Sequence, residues 1–179
     1  MAAEVAAALD APLEVLVARK VGAPGHEEFG IGAIAEGCGE AVKSDSAGLV
    51  GVGPVLFEQL VRREQVELDR RIELYRGGVP LPPLTGRDVI IVDDGLATGV
   101  TAEAAILAVR AERPLRVVLA VPVGAADTVA RLGRVADDVV TVLVPDGFMA
   151  VGSWYSDFSP TSDAEVIEVL TQARTRRGS

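Results

Sequence analysis

Val89-Ile90-Ile91-Val92-Asp93-Asp94-Gly95-Leu96-Ala97-Thr98-Gly99-Val100-Thr101 opens with an apolar run that reads as a buried strand and closes on small residues that start a helix. Such a strand delivers two adjacent carboxylates, Asp93 and Asp94, to its carboxyl edge, where open parallel sheets bind their ligands. Residues 97–101 can turn backbone N–H groups and two hydroxyls toward a phosphate, with the helix dipole in favour. Asp93 and Asp94 cannot hold that same phosphate, because like charges in close proximity repel. They must face something else, such as sugar hydroxyls or a metal ion.

Outward from this stretch, residues 13–18, 88–92, 115–121 and 138–144 are rich in Val, Ile and Leu without strict alternation and read as buried strands. Helical patterns occupy residues 2–9, 101–111, 125–135 and 163–174, the last with Ser162 as its cap. The alternation predicts an α/β fold, a mostly parallel sheet flanked by helices, in one domain spanning residues 1–179. Residues 37–86 interrupt it with a loop and a long helix over 54–76, begun by Pro54. On that helix Glu58 with Arg62 and Glu67 with Arg71 can pair across one turn of a solvated face. The competing reading is a lid that carries Arg70, Arg71 or Arg76 to an anion.

Composition removes several classes. With 179 residues, 49% apolar and 24% charged, the chain can bury a core and is not a disordered polymer. Its 17 Lys and Arg against 26 Asp and Glu give a net charge of -9, which leaves no broad basic face for nucleic acid or an anionic membrane. The longest apolar run, 117–126, is broken by Pro122 and Gly124 and is too short to span a bilayer. The single cysteine, Cys38, excludes an internal disulfide and accords with a reducing cytoplasm.

The segment from Val89 to Thr101 resembles the binding signature for 5-phosphoribosyl 1-pyrophosphate (PRPP) in type I phosphoribosyltransferases. The resemblance implies that Asp93 and Asp94 contact the ribose hydroxyls, as the acids tied to catalysis. Ala97, Thr98, Gly99, Val100 and Thr101 would then hold the 5-phosphate. Several purine-salvage members carry an acid where this chain has Ala97, whereas the adenine-type enzymes share Ala-Thr-Gly there, so one general base is removed without removing transfer. Arg19-Lys20 resembles the basic pair of the adenine and orotate enzymes that contacts PRPP phosphates, and implies a pyrophosphate clamp. The family further implies Mg2+ bound through PRPP oxygens rather than by direct protein ligands, a base-like acceptor, release of pyrophosphate, and a homodimer.

Four of the seven aromatic residues, Phe148, Trp154, Tyr155 and Phe158, crowd into residues 148–158, where they can stack on a flat base or plug an apolar gap. Residues 145–160 resemble the hood of the hypoxanthine-guanine enzymes. That likeness implies acceptor binding by Phe148 and Asp157, although the Phe148 to Gly152 spacing is one residue longer than in those enzymes. His26 and Cys38 have no partner set in sequence, and Glu27, Glu28 and Glu36 do not differ from surface acids. Members of the family also place a strand and a pyrophosphate loop before the helix found here at residues 2–9. The expectation is therefore a chain incomplete at its N-terminus, with a gap between strands 13–18 and 88–92. Two other functions compete: a PRPP-binding regulator that has lost transfer, and a receiver-type acidic pocket, for which the Thr-Gly loop has no purpose.

Overall fold

The structure, a computed structural model, describes the backbone of residues 1–44 and 46–177, and the side chains of these except 27, 28, 46, 49 and 177. Two three-stranded sheets share one helix. In the first, β4 (Asp88–Val92), β5 (Arg116–Val123) and β6 (Asp138–Leu143) run parallel in that order, joined through α4 (Val100–Ala111) and α5 (Ala126–Leu132). The expected parallel sheet is thus present, with β4 at the residues read from sequence. Alternation along β5 sends Val117, Leu119 and Val121 into a core with Leu96, with Ile106 and Val109 of α4, and with Leu132 of α5. The opposite face carries Ile90, Val140 and Val142, all exposed.

The second sheet is antiparallel: β1 (Ala18–Ala23), β2 (His26–Ala35) and β3 (Val42–Lys43). It packs on the other side of α4, where Ala33 and Ala35 meet Val100, Ala104 and Ala108. Helix α4 is therefore buried on two faces, and its alanines let both sheets approach. Gly32 makes the same kind of allowance for α3 (Pro54–Arg76): a Cβ there would lie 2.7 Å from the Phe57 ring and 2.6 Å from the Val42 carbonyl oxygen. Phe57 is buried in the small core beneath the hairpin.

Helix α3 spans the residues read from sequence, with Pro54 in its first turn and Gly77 closing it at φ 61. Its Glu58–Arg62 and Glu67–Arg71 pairs form, and Arg70 joins Glu67 and Asp163. Arg76 meets its anion inside the fold: it pairs with Glu36 (side-chain exposures 3% and 9%) and donates to Val15 O at 2.7 Å. The lid reading of these arginines is corrected accordingly. Glu36, indistinct in sequence, is this buried partner; the Glu27 and Glu28 side chains lie outside the described residues.

The expected strand at 13–18 is also corrected, since β1 starts only at Ala18. Its backbone finds other partners: Val17 N–H donates to Glu36 Oε1 at 2.7 Å, and Val17 O accepts from Glu36 N–H at 3.0 Å. Side chains and a strand end satisfy groups that a neighbouring strand otherwise would. Helix α1 (Ala2–Ala8) precedes this segment, the short α2 (Ser46–Leu49) comes before α3, and α6 (Asp163–Arg177) is the last element described. Ser162 caps α6 as expected, in a reciprocal box with Glu165 (Ser162 N–H to Glu165 Oε2, 2.7 Å; Glu165 N–H to Ser162 Oγ, 3.3 Å).

Candidate active site

The site is built where β4 ends. Asp93 N–H still donates to Ala120 O of β5 at 3.2 Å, which holds Asp93 at the sheet margin, and Asp94 N–H turns back to Asp93 Oδ1 at 2.9 Å. Burial, and then the adjacent Asp94 charge, push the Asp93 carboxyl up to about 6, against the opposing pull of the Asp94 N–H bond. Burial also raises Asp94. Above pH 6 the Asp93 carboxylate is ionised yet short of solvent, and hydroxyl donors from a ligand would supply what the acid pair lacks.

Leu96 fixes the next turn. It is fully buried, donates to Val123 O at 2.9 Å and accepts from Ala125 N–H at 2.8 Å. From there the chain runs over Ala97 and Thr98, both exposed, to Gly99 at φ 67 and the buried Val100 that opens α4. Only glycine fits at 99, because a Cβ would lie 2.5 Å from Thr128 Cγ2 in addition to the positive φ. Three successive carbonyls are tied down: Ala97 O accepts from Thr128 Oγ1 (2.7 Å), Thr98 O from Arg131 Nη2 (2.6 Å), and Gly99 O from Glu103 N–H (2.9 Å). The N–H groups of Ala97, Thr98, Gly99, Val100 and Thr101 have no acceptor among the described residues. A run of unpaired donors at the start of a 12-residue helix is a candidate anion cradle.

The basic pair divides. Successive residues of a strand face opposite ways, and β1 points Arg19 at α3, where it meets Glu64 at 2.8 Å. Lys20 points at α4: a Cβ on Gly30 would lie 3.2 Å from Lys20 Cδ and 3.6 Å from Val100 Cγ1, so Lys20 lies near the first residue of α4. Only Lys20 is thus brought toward the cradle, while Arg19 is engaged elsewhere.

The hood follows β6. Its 3₁₀ turn, Val151–Trp154, sets Val151 against the loop, 2.8 Å from where a Gly95 Cβ would be. Tyr155 donates its hydroxyl to Asp94 O at 2.5 Å and lies 5.0 Å, ring to ring, from Phe158. Burial and then the charges of Asp94 and Asp93 raise the Tyr155 hydroxyl above its usual range. Phe148 is half-buried, and Met149 is 90% exposed. Asp157 is exposed and occupied by Ser159, which donates through its N–H (2.9 Å) and Oγ (2.6 Å) and lowers the Asp157 carboxyl. Sequence reasoning does not single out Thr128 or Arg131, and it takes Tyr155 only as one ring of an aromatic cluster; the roles of all three come from contacts across the fold. His26 lines an apolar cavity of about 520 Å³ with Phe29, Val52 and Leu56, which shares no residue with the acid pair. Among the described residues no three His, Cys, Asp or Glu side chains converge as if around a cation.

The parallel sheet thus ends in an acid pair, followed by a run of unpaired backbone donors and an aromatic segment. The chain belongs to the phosphoribosyl transferase domain family, whose model matches residues 1–155. Two curated proteins of Mycobacterium tuberculosis, "Putative phosphoribosyl transferase Rv0571c" and "Putative phosphoribosyl transferase MT0597", are each 44% identical over 173 residues, 97% of this chain. The chain spans 39% of the length of these relatives. The crystal structure of TT1426 from Thermus thermophilus is similar with a TM-score of 0.73 at 43% identity, over 95% of this chain and 80% of that one. No helix among the described residues is long and apolar enough to cross a membrane.

Proposed function

We propose that this chain binds PRPP and transfers its phosphoribosyl group to a nitrogen of a base-like acceptor, with release of pyrophosphate. The observation that carries the proposal is the run of unpaired N–H groups at residues 97–101 directly after Asp93 and Asp94. The cradle takes the 5-phosphate, and the two carboxylates accept hydrogen bonds from the ribose hydroxyls. As the anomeric C–O bond breaks, its electron pair leaves with pyrophosphate; a C–N bond forms to the acceptor, which loses its proton to solvent because Ala97 cannot take it. Lys20 supplies cationic charge that favours the departing pyrophosphate. Phe148 stacks on the acceptor.

A hard cation fits this donor set only as a guest of the ligand. Among the described residues two carboxylates stand without a third converging group, a set that would suit Mg2+ held mainly by PRPP oxygens and water. Bound in that way, Mg2+ would supply positive charge for a departing pyrophosphate.

Pyrophosphate release from PRPP, measured across a panel of purine, pyrimidine and other nitrogen bases, tests the proposal. Release that depends on one class of base supports transfer. A second reading, PRPP binding without transfer, is favoured by the engagement of Arg19 with Glu64; it predicts calorimetric binding of PRPP with no release for any base.

A further inference from the structure

We infer that Thr128 and Arg131 of α5 are positioning residues for the phosphate, acting through the main chain of the loop. The inference rests on the PRPP reading of residues 97–101. In a trans peptide the C=O of one residue and the N–H of the next point in opposite directions. Because Thr128 draws Ala97 O toward α5, the Thr98 N–H points away from α5. Because Arg131 draws Thr98 O the same way, the Gly99 N–H also points away. The two side chains therefore aim two consecutive donors at the open side of the cradle without touching a ligand there.

Each has a further tie that fixes its own position. Thr128 is 6% exposed, and its methyl packs on Gly99, so its hydroxyl has little rotational choice. Arg131 divides its fork between Thr98 O and the Glu103 carboxylate. Glu103 lies in the first turn of α4, and its own N–H holds Gly99 O. Loop, α4 and α5 are thus closed into one ring of hydrogen bonds. One helical turn apart on α5, Thr128 and Arg131 form a brace on the loop's closed side.

The test compares the wild type with Thr128→Val, Thr128→Ser and Arg131→Gln, using ribose 5-phosphate as the probe for the cradle and pyrophosphate as a probe that does not need it. Thr128→Val and Arg131→Gln should each weaken ribose 5-phosphate by about tenfold, the scale of one lost hydrogen bond. Thr128→Ser, which keeps the hydroxyl, should restore most of that affinity, and pyrophosphate binding should not change in any variant. Unchanged ribose 5-phosphate affinity in the Val and Gln variants would overturn the inference, as would equal loss for both probes with a lowered Tm, which marks general loosening. Amide order parameters at Thr98 and Gly99 in the free protein provide the independent arm. They should fall in Thr128→Val; if they do not, the brace is absent. If the wild type binds no ribose 5-phosphate, the PRPP reading fails, and the order parameters alone decide the brace.

Discussion

The loop at residues 97–101 and the hood at 145–158 meet at the same end of the parallel sheet, yet they are held by different means. The loop is fixed through its main chain: three carbonyls in a row are bound, a left-handed glycine is locked against Thr128, and buried Leu96 and Val100 flank it. The hood is held by the Tyr155 hydroxyl on Asp94 O and by ring contacts, while Met149, Trp154 and Phe158 remain exposed. A group common to many substrates, a phosphate, can be met by a rigid backbone cradle. A variable group is better met by side chains on a loop with fewer ties.

The widest separation between the regions is expected from Asp94→Asn, which keeps shape and removes charge. PRPP affinity by calorimetry should fall by about a hundredfold, the upper range for a lost charged hydrogen bond. The circular dichroism spectrum should stay unchanged, since Asp94 is no part of the core. Unchanged PRPP affinity would remove the acid pair from the site. On the hood side, Phe148→Ala should raise the acceptor KM by about tenfold to a hundredfold, the worth of one stacked base. The KM for PRPP should hardly move; equal loss for both ligands would make the hood a structural plug instead. Tyr155→Phe probes the joint between the two regions and should cost about fivefold to tenfold in acceptor KM, as expected for one neutral hydrogen bond. If PRPP suffers more than the acceptor, the two regions are not separable.

The smallest effect is on stability, and its sign is set by Asp93. Its folded carboxyl lies at about 6, above the ordinary value of 3.8, so between these limits the folded chain binds a proton that the unfolded chain releases. The stability due to this group is greatest at low pH and is lost as pH rises from about 4 to about 6. Asp93→Asn removes that loss, and the variant should melt several degrees higher than wild type at pH 7.5, given about 2–4 °C per kcal/mol for a chain of this size. The advantage should vanish near pH 4. A variant that melts lower at pH 7.5 would contradict the burial of this charge.

Legibility from sequence follows how local each signal is. Strand β4 and helix α3 are readable to their ends because an unbroken apolar run, Pro54 and Gly77 each act within a few residues. Strand β2 is not readable: Gly30, Gly32, Ala33 and Ala35 are poor strand formers, and they sit there because α3 and α4 pack close. Residues 13–17 read as a strand on their apolar content, but Arg76 and Glu36, distant in sequence, supply their partners. At the site, Asp93, Asp94 and the loop come from one contiguous motif. The separation of Arg19 from Lys20 depends on which face of β1 each occupies, and Thr128, Arg131 and Tyr155 gain their meaning only when α5 and the hood return to the loop.

Backbone amide shifts during titration with PRPP and Mg2+ locate the ligand most directly. The largest changes are expected at Thr98, Gly99, Val100 and Thr101, with smaller ones at Asp93 and Asp94 and nothing at the His26 cavity. Changes concentrated around His26, Phe29 and Leu56 with the 97–101 amides unmoved would contradict it.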